Sequence, residues 1–240
     1  MNYSINDLVS NRQKDILWQV MENYIDTSEP VASQAIADKL GVSSATIRNE
    51  FIALDELGLT ASPHTSSGRI PTDLAYKFYI EKIRGRQSNL PAKFQKKLKY
   101  SYRQANNPNE ALKNLAKNIS EFVQGAVAIN LEPNIIFLTG FSYIFRQPEF
   151  SSPTEVISLS RALDELENNF NKMRIALSTI NHRAVNHPEI LVGSDNPFGV
   201  EFGTVILPLH SHFLTVLGPS RMNYTRAVSC LNFVNSLYNI

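Results

Sequence analysis

The chain has 240 residues, 43% of them apolar and 19% charged, with a formal net charge of +1. That length gives one to two domains and ample core, while a single cysteine, Cys230, excludes an intramolecular disulfide and a Cys-rich zinc site. No apolar run approaches the ~18 residues of a membrane span, and Met1–Ser10 lacks the basic-then-apolar layout of a signal peptide, so a cytoplasmic protein without membrane contact is expected.

From Asn11 to Asp26, Ile16, Leu17, Val20, Met21 and Tyr24 share one arc at helical spacing, which predicts an amphipathic first helix. Ser28-Glu29-Pro30 stops it. Ser33 is placed to cap a short second helix through Ile36, Ala37 and Leu40, ending at Gly41, a residue suited to a left-handed C′ position. Ser43 then caps a third helix. Two short helices across one glycine-bearing turn make a helix-turn-helix.

The third helix sorts its faces. At 100° per residue Ile47, Phe51 and Leu54 cluster and must face a core, while Ala45, Arg48, Asn49 and Ile52 point the other way. Arg and Asn are the side chains that bond guanine and adenine edges bidentately in a major groove, and they lie in the helix's first two turns, the part that reaches bases. Next come Gly58-Leu59 and a Gly- and Ser-rich hairpin from Pro63 to Thr72 that carries Arg69, suited to the DNA backbone or a minor groove. A reading helix followed by a basic hairpin predicts a winged helix-turn-helix.

Thr72 caps a fourth helix whose Leu74, Tyr76, Phe78, Tyr79, Ile80 and Ile83 close that domain. Gly85 to Pro91 is a break of turn-forming residues. Helices are predicted at Pro91–Gln104 and from Pro108, the latter with Leu112, Leu115, Ile119, Phe122 and Val123 on one side. Short buried strands follow at Ala126–Leu131, Ile135–Thr139, Ile190–Gly193, Thr204–Leu207 and Phe213–Leu217. Helices at about Pro153–Ile180 and Ser220–Tyr238 alternate with them. The fold class is α+β: a winged domain at 1–86, a helical linker at 87–124, and an α/β domain with a small sheet at 125–240.

Charge is unevenly spread. Arg69 to Arg103 holds ten Lys/Arg against Asp73 and Glu81, a local +8, whereas Asn106 onward holds nine against eleven. A basic first half on a near-neutral protein suits a polyanion, although Lys93–Arg103 alone also reads as a solvated face. Leu159, Leu163, Leu166, Phe170, Met173 and Leu177 are spaced like a coiled-coil seam. The run covers about two and a half heptads, too few to persuade, so it is expected to pack on its own domain's sheet.

Residues 11–84 resemble the DNA-binding domain of the HrcA heat-inducible transcription repressors. The likeness is carried by Glu29-Pro30-Val31, by Gly41 to Asn49, by Leu54-x-Glu56-Leu57-Gly58-Leu59 and by Pro63 to Asp73. It resumes at Phe141-Ser142, Gln147-Pro148-Glu149-Phe150, Gly193-Ser194-Asp195-Asn196-Pro197 and Gly218 to Tyr224. The resemblance implies a GAF-like C-terminal domain and a repressor that binds an inverted repeat upstream of chaperone operons. It also implies that a GroEL-type chaperonin sustains the binding-competent form and that heat releases the operator. In that family the GAF-like domain carries an inserted dimerisation domain; here Asn130 to Asn134 runs almost directly into the next strand, as in a shortened member.

The expected DNA contacts are Ser33 and Gln34 on phosphates, and Ser43, Ser44, Ala45, Thr46, Arg48 and Asn49 at the reading face. His64, Ser67, Gly68 and Arg69 complete them in the wing. Double-stranded DNA bound by a homodimer follows, since an inverted repeat presents two half-sites. The competing class is a small-molecule-responsive regulator with its effector pocket in the C-terminal domain. Enzyme motifs are missing: no GxGxxG, GxxxxGK[ST], nucleophile elbow or HExxH. His210-x-His212 is the nearest thing to a metal pair, but Pro208 and Ser211 suit a turn, so no cofactor and no metal are expected.

Overall fold

A computed structural model describes residues 8–64, 68–84, 90–132, 135–179, 187–209 and 212–238, with side chains at 84, 132, 163 and 173–179 outside the description. The chain divides into two compact units, Met1–Arg86 and Gln87–Ile240.

In the first unit, α1 (Asn11–Thr27) opens on a reciprocal capping box between Ser10 and Gln13 and buries Ile16, Leu17, Val20, Met21 and Ile25. Helix α2 (Ser33–Leu40) starts differently from the sequence expectation: Ala32 is its N-cap, no side chain caps it, and Ser33 is already helical. Gly41 takes the left-handed C-cap at φ 66°. Helix α3 (Ser44–Glu56) is capped by the Ser43 hydroxyl accepting from the Thr46 N–H. A two-stranded sheet pairs β1 (Thr60–Ala61) with β2 (Ile70–Pro71) in antiparallel register. The Thr72 hydroxyl caps α4 (Asp73–Arg84) by accepting from Ala75 N–H. The aromatic face of α4 closes the unit: Tyr79 packs at a tilt on Trp18, ring centres 4.7 Å apart, and donates to Glu22.

The second unit is built on a five-stranded antiparallel sheet in the order β4-β3-β7-β6-β5, from β3 (Ala126–Glu132), β4 (Ile135–Thr139), β5 (Glu189–Leu191), β6 (Phe202–Leu209) and β7 (His212–Pro219). Alternate residues face opposite layers. One face sets Ala126, Ala128, Ile206 and Leu217 against Ile144, Phe150, Leu159, Leu166 and Phe170. These come from the short α7 (Phe141–Ile144), a 3₁₀ turn at Pro148–Phe150, α8 (Pro153–Asp164) and α9 (Leu166–Thr179). The single long helix expected over 153–180 is thus interrupted at Glu165. Leu159, Leu166 and Phe170 lie in this core, so those members of the coiled-coil-like stripe are consumed inside their own unit, while the side chains of Leu163, Met173 and Leu177 fall outside the description.

The helices expected as a linker are part of this unit. Helix α5 (Ala92–Arg103) buries Phe94 and Leu98, and α6 (Pro108–Val123) buries Leu112, Leu115 and Ile119, packing on β3, β4 and the C-terminal helix α10 (Tyr224–Tyr238). Apolar faces on both helices leave no solvent-bridging role. Only residues 133–134 join β3 to β4, whose pairing runs out to Glu132↔Ile135, so no inserted domain fits at this hairpin.

The family-like motifs of this unit brace loops. Arg221, 9% exposed, grips the Glu149 carboxylate through Nε and Nη2 and donates also to Gln147 Oε1 at 2.8 Å. Buried Asn196 donates to Phe202 O and accepts from the Phe198 amide and the Thr204 hydroxyl. Gly203 is required by packing, because a Cβ there would sit 2.2 Å from Tyr224 Oη. An apolar cavity lined by Phe141, Leu159, Ala162, Phe198 and neighbours offers about 10 Å³, room for about one water molecule and far below an effector pocket.

Candidate nucleic-acid interface

Helix α3 has the two faces that its sequence demands. Ile47, Phe51 and Leu54 are 0%, 2% and 0% exposed, whereas Ala45, Arg48, Asn49 and Ile52 are exposed, and Ser44 and Thr46 are half-buried at the helix start. The inward residues fix the helix's roll, so Arg48 and Asn49 project together. In the free protein Arg48 folds back on its own helix, donating to Ser44 O and Oγ, both at 3.3 Å. Bonds of that length are weak and exchange readily for a base edge. Ser43 is committed to its cap, with Oγ also 2.9 Å from Thr46 Oγ1. Sequence reasoning passed over Val42, which is 37% exposed in the turn before α3, while Ile52 on the outer face is 53% exposed; exposed aliphatic groups on a reading face suit thymine methyls.

On α2, Gln34 is exposed and donates to Asp38 at 2.7 Å. Ser33, without a capping role, sits half-buried in the first turn, where free amide groups and the helix dipole favour an anion. In the wing, His64 is exposed, and its carbonyl accepts from the Ser62 hydroxyl. Ser67 lies outside the described residues. Gly68 is a close-approach glycine: a Cβ would meet Val31 O at 2.4 Å. That closeness permits a third strand-like segment, since Val31 and Arg69 exchange both backbone bonds at 2.8 and 2.9 Å.

Arg69 is placed otherwise than sequence reasoning expected. Its side chain is 18% exposed and turns inward, Nε donating to Asp55 Oδ2 at 2.7 Å. The guanidinium lies 5.7 Å from the centre of the Phe51 ring. The other Asp55 oxygen accepts from the Thr60 hydroxyl at 2.6 Å, and Thr60 is 3% exposed. One carboxylate near the end of the reading helix therefore holds both strands of the wing. Around it, Gly58 is left-handed at φ 69°, Leu59 N–H bonds back to Leu54 O, and the Thr72 hydroxyl donates to Gly58 O. Asp55 and Thr60 are the functional-site residues missed in the sequence. Their signal was an acid in the last turn of the reading helix, five residues before a Thr that a glycine turn folds back onto it.

A small-polar and Arg/Asn face set by a buried apolar triad, beside a wing clasped to the same helix, is the arrangement of a DNA-reading winged helix. The family described as "Winged helix-turn-helix transcription repressor, HrcA DNA-binding" matches residues 8–83, and that described as "HrcA protein C terminal domain" matches residues 75–228. The chain belongs to the HrcA family. Relatives named "Heat-inducible transcription repressor HrcA" are 47% identical over 79 residues in Thermobifida fusca, 50% over 78 in Herpetosiphon aurantiacus and 51% over 77 in Nodularia spumigena. Those stretches cover 31–32% of this chain and 21–23% of each HrcA relative. A solved structure titled "Crystal structure of a hypothetical protein at 2.2 A resolution" shares the fold, with a TM-score of 0.73 at 14% identity over 96% of this chain and 97% of the other.

Proposed function

We propose that this chain is a sequence-specific repressor that docks α3 in the major groove of an inverted-repeat operator and is released by heat. The observation that carries this reading is the exposed Arg48–Asn49 pair, held on the outer side of a helix whose inner side is fully buried. Ser44 and Thr46 flank it, Ser33 and Gln34 approach phosphates from the start of α2, and His64 reaches the backbone from the wing, a role the sequence also assigns to Ser67. Gly68 and Arg69 serve by shaping that wing. The name borne by the relatives, heat-inducible transcription repressor, supports the heat response.

The second unit we read as a GAF-like regulatory domain, supported by its five-stranded antiparallel sheet with helices on both faces. The chain acts as a homodimer, because two half-sites related by a twofold axis call for two reading helices. Its targets are chaperone operons, a GroEL-type chaperonin sustains the active form, and the protein works in the cytoplasm; among the described residues no helix is long and apolar enough to cross a membrane.

A nuclease footprint on the chain's own genomic DNA tests the reading. A protected inverted repeat beside a chaperone gene, lost cooperatively on mild heating and restored by chaperonin with ATP, is the expected result. Protection without sequence preference would overturn the repressor assignment, and protection that persists on heating and ignores chaperonin would overturn the heat mechanism. Sedimentation of the saturated complex checks the stoichiometry: one protein per full operator would exclude the dimer.

A further inference from the structure

Helix α5 carries Lys93, Lys96, Lys97, Lys99 and Arg103 and no acidic residue. At 100° per residue, Lys93, Lys96, Lys97, Tyr100 and Arg103 fall within about 120° of arc, opposite buried Phe94 and Leu98. All five are exposed, Tyr100 at 67%. Lys97 pairs with Glu121 at 2.7 Å, and no ion pair involves Lys93, Lys96 or Arg103 among the described residues. The stripe runs over eleven residues, ten rises or about 15 Å of helix, with an exposed phenol near its middle.

We propose that this face of α5 is a second DNA-backbone contact, outside the winged unit. Three observations select duplex phosphate as the occupant. The charge is concentrated: from Asn106 to the end the chain holds nine Lys/Arg against eleven Asp/Glu, so α5 is a cationic island in an otherwise slightly acidic unit. A twofold pairing of this face with itself would set cations against cations, which disfavours a second copy as the occupant. Seven residues of chain separate Arg84 from Ala92, so a winged unit seated on DNA keeps α5 at a high effective concentration of phosphate. The proposal rests on the DNA-binding reading above and extends it: α5 adds sequence-independent affinity, while α3 supplies the choice of bases.

The test is the triple variant Lys93→Gln, Lys96→Gln, Arg103→Gln in the full chain, titrated over a salt series onto a long random-sequence duplex. All three side chains are exposed, so circular dichroism and melting should match wild type. The slope of log affinity against log salt should flatten by about 2.7, three phosphates at about 0.9 each, with affinity lost on random and operator DNA alike. Arg48→Ala, run alongside, should keep the slope. A wild-type chain that binds duplex with the slope and affinity of the triple variant would overturn the α5 proposal and leave the repressor reading standing. A wild-type chain that binds no duplex at all would overturn both. Lost binding of an acidic protein, with duplex binding intact, would reassign the stripe and likewise overturn the proposal.

Discussion

Arg69 offers the sharpest test, because charge and geometry assign it different work. Truncation to Ala removes the Nε bond to Asp55 and the stacking on Phe51 but keeps both backbone bonds to Val31. A hydrogen bond between charged partners is worth about 1.5–3 kcal/mol and a cation–π contact about 0.5–1. The pair is partly buried, at 18% and 29% side-chain exposure, so surface screening does not erase these terms. A loss of about 2–3 kcal/mol in the winged unit is expected, which lowers its melting midpoint by roughly 8–24 °C at the scale of a small domain.

The assay is built in. The chain has one tryptophan, Trp18, packed against Tyr79 in the winged unit, so its fluorescence reports that unit alone. Asp55→Ala should cost at least as much, since it also strands the buried Thr60 hydroxyl. A double-mutant cycle between Asp55 and Arg69 should return a coupling of about 1–2 kcal/mol. On DNA, a loosened wing weakens binding without changing the number of phosphates neutralised, so the salt slope of Arg69→Ala should stay at the wild-type value. A slope reduced by about 0.9, with the Trp18 melt unmoved, would refute the clasp and return Arg69 to the DNA backbone.

Other outcomes follow from the same geometry. Arg48→Ala should cost about 1–3 kcal/mol on the operator and little on random duplex; equal losses on both would remove Arg48 from the reading face. Gly203→Ala should destabilise the second unit by about 1–3 kcal/mol through overpacking against Tyr224 Oη, and adding Tyr224→Phe should restore part of it, seen by denaturant unfolding. Cys230 is a probe of that unit: burial pushes its thiol up from the ordinary 9.0 to about 12, so a thiol reagent at mildly alkaline pH should label it only on unfolding. The thiol's share of stability is complete below pH 9.0 and is lost as pH rises toward about 12; rapid labelling of the native protein would contradict the burial.

How far the sequence could be read depended on whether a feature was local. Helix faces follow from spacing, so the inward triad of α3 and its exposed Arg48 and Asn49 were legible, as were all five strands of the second unit, each a short apolar run between turn residues. Caps were legible where a hydroxyl meets an amide three residues on, as at Ser43. Ser33 fails that rule because the extended N-cap falls one residue earlier, at Ala32, and Ser33 is already the first helical residue. The linker reading of 87–124 failed for a different reason: α5 and α6 are amphipathic, and an amphipathic pattern states that an apolar face exists without naming what covers it. Here β3, β4 and α10 do.

Charge is the least local of these signals. A cation in a wing and a cation on an exposed helix look alike in sequence, yet Arg69 is drawn inward because an acid fourteen residues earlier is folded back beside it. Lys93, Lys96 and Arg103 face solvent on a helix without a single acid. The basic excess from Arg69 to Arg103 is therefore not one surface. It includes both a cation that shapes the wing, Arg69, and an exposed stripe on α5, with Lys77, Lys82, Arg84 and Arg86 between them in the chain, and the first two make opposite predictions for the salt slope. Neutralising Arg69 should leave the slope intact while the winged unit melts early; neutralising the α5 stripe should flatten it while both units melt where they did. Run on one duplex, the two variants separate a positioning charge from a binding charge without any knowledge of the operator's bases.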